Sequence, residues 1–165
     1  MSITLEQLLQ SRDVRVEHQK DLLGNNSGKS LLCLTVQLPG PEKRNQTSLA
    51  IAKAGVEAVR DVFKPEYEEL RDLETGYEAY FLVTLSGTEA KRKACQIEDT
   101  HPLGRLMDLD IVTSNGPIGR ESLGIAPRKC LLCDNEVRYC MRAKTHTVND
   151  LLARIEEMVK LCCAS

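Results

Sequence analysis

Two aspartates stand two residues apart inside an otherwise apolar run near the middle of the chain. Asp108 and Asp110 interrupt the segment 106–112, whose other members are leucine, methionine, isoleucine and valine. In a β-strand, residues i and i+2 point to the same side and lie roughly 6.5 Å apart along the chain. The pattern therefore predicts a buried strand that presents two carboxylates to one site, which is a geometry suited to a metal ion.

Length and charge limit what the rest of the chain can be. The sequence has 165 residues, and we expect a single domain over 1–165 with one packed core. A formal net charge of -2 provides no overall basic field, which argues against a general nucleic-acid-binding protein.

The chain also lacks the marks of export or membrane insertion. The N-terminus has no basic segment followed by an apolar one, and no apolar run reaches the roughly 18 residues of a membrane span. Seven cysteines are scattered through the sequence, a number and arrangement that suit free thiols in a reducing compartment. We expect a cytoplasmic protein.

Capping residues and apolar spacing predict the helices. Thr4 and Gln7 form a capping box for a first helix, which we expect to break near 12–14. Further helices are predicted over 46–63, from Ser86 to Glu98, and after Thr147 to the C-terminus. The acidic stretch 66–74 reads as a short helix or a loop.

Three apolar runs, 31–38, 77–85 and 106–112, predict strands. Because a predicted helix separates the second run from the third, we expect a βαβ unit with parallel strands. The turn signal at 114–117 predicts that 118–120 returns as a short antiparallel strand, so that a hairpin carries the Asp-x-Asp motif. The expected fold class is α+β, with helices around a mixed sheet.

The surroundings of the aspartate pair favour phosphate chemistry. Magnesium takes oxygen ligands and is often held by one or two carboxylates together with substrate phosphates. Gly104 lets a phosphate approach the backbone, and Arg105 can bind it through two parallel hydrogen bonds. The alternative is a pair of acids on a solvated strand face, but the apolar neighbours favour a functional site.

A second candidate site lies in the last third of the chain. Cys130, Cys133, Cys140 and His146 have the ligand types and spacing of a Cys3His zinc site, although only one Cys-x-x-Cys pair is present. The alternative is a set of free cysteines that pack in the core. The spacing does not decide between the two.

Several separated motifs together resemble the bacterial holo-citrate lyase synthase family, also called apo-citrate lyase phosphoribosyl-dephospho-CoA transferase. The resemblance covers nearly the whole chain. The matching residues are Arg12-x-x-Arg15-x-x-x-Gln19, Pro39-Gly40-Pro41-x-Lys43, Glu98-x-x-His101 continuing through Asp110, Arg120, 128–133, 140–142 and His146. Met107 and Gln37 depart from the residues common at those positions, and the second departure leaves the substrate role of the Pro-Gly turn open.

The resemblance implies a nucleotidyltransferase. Its donor would be 2′-(5″-triphosphoribosyl)-3′-dephospho-CoA, its acceptor a serine of the citrate lyase acyl carrier protein, and its second product diphosphate. It implies that Asp108 and Asp110 hold Mg²⁺ and that Arg105 assists them. Substrate-binding roles are implied for four positions, Gly104, Lys43, Arg15 and Arg120.

Two alternatives stay open at this level. The same chemistry can serve the carrier of malonate decarboxylase. From a different class, the chain can be a non-catalytic interaction module built on a zinc knuckle, with the two acids at a solvated edge.

Overall fold

The computed structural model describes residues 2–36 and 38–164. Within them, five strands form one sheet in the order β2-β3-β1-β4-β5, and every neighbouring pair is antiparallel. The strands are β1 (Ser30–Val36), β2 (Tyr67–Leu73), β3 (Gly76–Val83), β4 (Met107–Thr113) and β5 (Gly116–Ile118). Gln37, where the sequence departs from the family pattern, lies outside the described residues.

Four of the five helices in the described residues lie close to the predicted positions, and α4 was not predicted. The helices are α1 (Leu5–Gly24), α2 (Gln46–Phe63), α3 (Gly87–Thr100), α4 (Val137–Ala143) and α5 (Val148–Cys163), with 3₁₀ turns at Gly104–Leu106 and Glu121–Leu123. Thr4 and Gln7 form the predicted capping box. Ser86 and Thr147 cap α3 and α5. The break expected near 12–14 was wrong, because α1 is continuous.

The expectation of a mixed sheet with a βαβ unit was also wrong. Strand β1 lies between β3 and β4 and pairs antiparallel with both. β3 and β4 therefore run in the same direction without being neighbours, and α3 crosses over β1 to connect them. The hairpin of β4 and β5 pairs only from Ile111 to Thr113, so Asp108 and Asp110 precede the paired section.

The stretch 66–74 was expected to be a helix or loop but forms the edge strand β2. Its charged side chains make ion pairs with neighbouring elements, such as Arg60 with Glu68 and Arg44 with Asp72. Charged side chains are usual on an edge strand, where they discourage pairing with another chain.

The two faces of the sheet are covered unequally. α2, α3 and α5 pack on one face over the main core, which includes the fully buried Leu34, Leu109 and Ile111. Among the described elements, α1 is the helix that covers the other face, where a smaller apolar cluster surrounds Leu23 and Tyr80. No helix of the described residues has the length and apolar character to cross a bilayer.

Candidate functional site

Asp108 and Asp110 lie on the face of the sheet that α1 covers. Leu109 between them is fully buried in the main core on the opposite face. In the register of β4 with β1, Asp108 stands opposite Thr35 and Asp110 stands opposite Cys33. The two carboxylates therefore occupy one face, as the sequence predicts.

α1 presents a stripe of polar side chains to this face. The stripe consists of Arg12, Arg15 and Gln19, which are spaced i, i+3 and i+7 along the helix. Arg15 Nε donates to Oε1 of Glu78 at 3.0 Å, and Glu78 is only 3% exposed. The hydroxyl of Tyr80 donates to the other oxygen of Glu78 at 2.6 Å. Further along the helix, the Gln19 side chain lies beside Cys33 and moderates the rise in the pKa of its thiol that burial causes. The stripe thus meets the row of residues beside the aspartates.

The electrostatics of the pair favour a cation. Removal from water raises the pKa of Asp108, and the nearby Glu98 carboxylate raises it further. Removal from water and the negative charge of Asp108 together raise the pKa of Asp110 to about 6, although Lys91 and Arg15 oppose that rise. Two carboxylates that disfavour each other's charge in this way are stabilised when a divalent cation binds between them.

A charged cleft of about 410 Å³ opens beside Asp108. Lys91 and Glu98 of α3 form one wall, and both are almost completely buried. Lys91 Nζ donates to the Leu109 carbonyl at 3.1 Å, and Oε2 of Glu98 accepts from the Leu109 N–H at 2.9 Å. These side chains form hydrogen bonds with backbone groups of β4 along the section that does not pair with β5.

Two arginines hold the segment after β5 against this cleft. Arg120 donates to Glu98 at 2.8 Å, to Asp99 at 2.9 Å and to the Ala126 carbonyl at 3.1 Å. Arg128 donates to the carbonyls of Met107 and Gly104, each at 2.8 Å. Their guanidinium groups are largely committed to these internal contacts.

A smaller cavity of about 120 Å³ gathers three cations beside the middle of α1. Arg12, Arg15 and Lys43 line it together with Thr35, which stands opposite Asp108 in the sheet. Lys43 Nζ donates to the Leu38 carbonyl at 2.7 Å. Burial and the charge of Arg12 lower the pKa of Lys43. Three converging cations one strand away from the aspartates form an anion-binding arrangement, which we call the cation cavity.

The structure brings only some of the predicted site residues together. The aspartates, Arg15 and Lys43 converge on the α1 face, and Arg120 lines the charged cleft. The charges that act on Arg105 come from Arg128, Cys130, Asp99 and Arg120, which places it towards the Cys130 side of the charged cleft.

Gly104 has a packing role. A Cβ atom there would lie 2.4 Å from the Ile97 carbonyl oxygen and 2.5 Å from that of Glu98. Gly104 is buried against the backbone of α3. Its missing side chain lets the 3₁₀ turn at 104–106 pack closely on that helix.

Sequence reasoning gave no site role to Arg12, Lys91 or Glu98. In the sequence, Arg12 and Glu98 stand out only as members of the family motifs, although the spacing of Arg12 from Arg15 places both on one side of α1. Lys91 falls within the helix predicted from Ser86 to Glu98, with nothing that marks it as a site residue. Their contacts with the backbone of Leu109 depend on tertiary structure, and the sequence contains no local signal for them.

Cys130, Cys133, Cys140 and His146 form a compact cluster. Their ligand atoms all lie within 4.8 Å of one another. Cys133 Sγ is 3.4 Å from Cys140 Sγ and 3.4 Å from Nε2 of His146. Burial opposes ionisation of Cys130, but hydrogen bonds from the backbone of Leu132 and Cys133 outweigh it and lower its pKa to about 7. The cluster can hold a metal ion, and its three thiols and one imidazole are ligands that suit zinc.

Comparison with known proteins gives a consistent result. The family model described as apo-citrate lyase phosphoribosyl-dephospho-CoA transferase matches residues 3–161. A Vibrio cholerae protein named as a probable apo-citrate lyase phosphoribosyl-dephospho-CoA transferase is 36% identical over 99% of this chain and 97% of its own. A Streptococcus pyogenes protein with the same name is 34% identical over 96% of this chain and 86% of its own.

An Escherichia coli protein named apo-citrate lyase phosphoribosyl-dephospho-CoA transferase is 32% identical over 96% of this chain and 89% of its own. The region matched by the family model thus includes the aspartate strand, the α1 stripe and the Cys/His cluster. The chain belongs to the apo-citrate lyase phosphoribosyl-dephospho-CoA transferase family.

Proposed function

We propose that this protein transfers the phosphoribosyl-dephospho-CoA group from its 5″-triphosphate precursor to a serine of the citrate lyase acyl carrier protein, releasing diphosphate. The family match supports the reaction. The observation that carries the site is the position of Asp108 and Asp110 on one face, opposite the cation cavity.

The aspartate pair fits Mg²⁺. Both groups are hard oxygen ligands, and the raised pKa of each carboxyl indicates that a cation would relieve an unfavourable concentration of negative charge. A bound Mg²⁺ supplies charge neutralisation on the triphosphate of the donor. Asp108 and Asp110 are its proposed ligands.

The cation cavity is the proposed binding site for the leaving diphosphate. Arg12, Arg15 and Lys43 are one strand away from Asp108, and they can stabilise the charge that moves onto the diphosphate when the phosphorus–oxygen bond breaks. The serine oxygen of the carrier forms the new bond to the phosphorus nearest the ribose. The substrate roles of Lys43 and Arg15 are therefore retained in the proposal.

Arg120 receives a positioning role, because it holds Glu98 while Glu98 holds the backbone between the aspartates. Arg105, first expected to assist catalysis, lies on the side of the Cys/His cluster. We infer that Arg128 supplies the main positive charge beside Asp108, and that Lys91 and Arg15 act on both carboxyls.

The test is modification of the purified carrier. Apo carrier, triphosphorylated donor and Mg²⁺ are incubated with the protein, and the carrier is weighed by intact-mass spectrometry. We expect the mass gain of the prosthetic group with the native protein and none with Asp108→Asn or Asp110→Asn. Asp61→Asn, an exposed position on α2, is the matched control.

Native rates in both aspartate variants would refute the site. No mass gain under any divalent metal would favour the non-catalytic interaction module. Presenting the apo carriers of citrate lyase and malonate decarboxylase side by side identifies the acceptor.

We further propose that the Cys/His cluster holds a structural Zn²⁺. The four ligand atoms already lie close enough to surround one ion, and they belong to a segment with little regular structure apart from α4. Elemental analysis of the purified protein should find one zinc per chain, and its absence would reduce the cluster to packed free thiols.

A further inference from the structure

A groove of about 630 Å³ runs between the C-terminal half of α1 and the turn that joins β4 to β5. Its walls are mainly apolar, with polar groups at a few points. They include Val16, Gln19, Lys20 and Leu23 of α1 together with Val112 and Pro117. We call this feature the α1–β5 groove.

The groove begins where the aspartate pair ends. Val112 follows Asp110 by two residues on β4, so its side chain points to the same face of the sheet. Gln19 lines the groove and also lies beside Cys33, which stands opposite Asp110. The groove is therefore continuous with the proposed metal site.

The cation cavity adjoins the same helix on the N-terminal side of the groove. Arg12 and Arg15 contribute to it from the middle of α1, whereas Leu23 and Gly24 contribute to the groove at the end of α1. From the cavity to the groove, the order is a cluster of cations, the aspartate pair and then apolar walls. This order matches a ligand that is anionic at one end and apolar at the other.

We propose that the α1–β5 groove binds the adenosine part of the phosphoribosyl-dephospho-CoA donor, while the triphosphate points towards the cation cavity. The inference rests on the proposed function, because it takes the donor and its reacting phosphorus from there. Only one ribose separates that phosphorus from the adenosine, so the adenosine must lie next to the metal site. Nucleoside pockets combine apolar walls with a few polar groups, as this groove does.

A second apolar cavity, of about 550 Å³, does not meet these requirements. It is lined by residues of the Cys/His cluster, α4 and the start of α5, including Met141 and Val148. None of its lining residues belongs to α1 or β4, so it lacks the continuity with Asp110 that the groove has.

Two substitutions test the proposal on the full-length protein. Val16→Glu places a charged side chain in the groove at a position that is 46% exposed, and Val14→Glu makes the same change at a 55% exposed position outside it. Gly24→Phe fills the groove, because a Cβ at Gly24 meets nothing within 4 Å. Gly119→Phe is its control, with equally open space around the Cβ.

The probe is 3′-dephospho-CoA, which carries the adenosine but no triphosphate. We expect Val16→Glu and Gly24→Phe to weaken its binding at least tenfold by calorimetry, while both controls bind as the native protein does. Diphosphate binding in the presence of Mg²⁺ should be unchanged in all four variants.

Equal affinity for 3′-dephospho-CoA in a groove variant and its control would overturn the proposal. So would groove-dependent binding of 4′-phosphopantetheine alone, because that result would assign the groove to the other end of the donor. If the native protein modifies the carrier but the groove variants bind 3′-dephospho-CoA normally, only the groove assignment is refuted. If 3′-dephospho-CoA binding depends on the groove but the native protein does not modify the carrier, only the proposed reaction is refuted.

Discussion

Glu98 of α3 accepts a hydrogen bond from the backbone N–H of Leu109 at 2.9 Å. Leu109 is the residue between the two aspartates, so this contact fixes the strand segment that carries them to the helix behind it. The other oxygen of Glu98 accepts from Arg120 at 2.8 Å, which links the same point to the loop after β5. A buried carboxylate thereby joins three elements at the site.

Replacing Glu98 by alanine should lower the free energy of unfolding by about 2–4 kcal/mol, because it leaves a buried N–H and part of a buried guanidinium unsatisfied. Urea denaturation monitored by circular dichroism measures the change. Asp99→Asn, which alters the other and half-exposed partner of Arg120, should cost less than about 1 kcal/mol. Similar losses in the two variants would show that the contact with Leu109 contributes little.

Gly104→Ala should destabilise the protein by about 1–3 kcal/mol, because the new methyl group would overlap carbonyl oxygens at the end of α3. Gly119→Ala is the control, since a Cβ there meets no atom within 4 Å and the residue has no positive φ. Thermal unfolding of the two variants compares them directly. If Gly104→Ala keeps native stability but loses donor affinity, the glycine serves phosphate binding and the packing interpretation is wrong.

Features determined by neighbouring residues were predictable from the sequence. The capping residues Thr4, Ser86 and Thr147 mark helix starts, and alternation places Asp108 and Asp110 on one face. The Cys/His cluster was predictable for the same reason, because four ligands within one short segment can meet without help from a distant element.

Features that depend on distant pairing were not predictable. Nothing local places β1 between β3 and β4, and the sheet is antiparallel because of that placement. The edge strand β2 lacks the apolar alternation of a half-buried strand, since ion pairs such as that of Arg60 with Glu68 stabilise it. The roles of Lys91 and Glu98 depend on where α3 packs, so they become visible only in three dimensions.

Asp110→Asn should raise the thermal stability of the metal-free protein while it abolishes transfer. The raised pKa of Asp110 means that its ionised form is disfavoured in the folded protein, so a neutral isostere relieves an unfavourable charge. Asp110 is only partly removed from water, because the residue keeps an exposed surface through which solvent screens its charge. We therefore expect a rise of only about 1–4 °C in the unfolding midpoint, measured by calorimetry with a chelator present.

Excess Mg²⁺ should narrow or reverse this difference in the unfolding midpoint. Mg²⁺ stabilises the native protein by binding to it, whereas Asp110→Asn offers the ion fewer ligands. Asp61→Asn should show neither effect. A loss of stability in metal-free Asp110→Asn would indicate that the carboxylate makes favourable contacts in the fold and would contradict the charge argument.

Cys133→Ser should remove the metal from the Cys/His cluster and destabilise the segment around α4. Cys133 is the centre of the cluster, with Cys140 and His146 each 3.4 Å from its sulfur, and a serine hydroxyl is a poor replacement for a thiolate ligand. We expect zinc content to fall from one equivalent to nearly none and the free energy of unfolding to fall by about 2 kcal/mol or more. Plasma mass spectrometry and urea denaturation give the two readouts.

Cys163→Ser, at the exposed end of α5, controls for the loss of a thiol and should change neither the zinc content nor the free energy of unfolding. If Cys133→Ser keeps its zinc or unfolds like Cys163→Ser, the cluster is not a structural metal site.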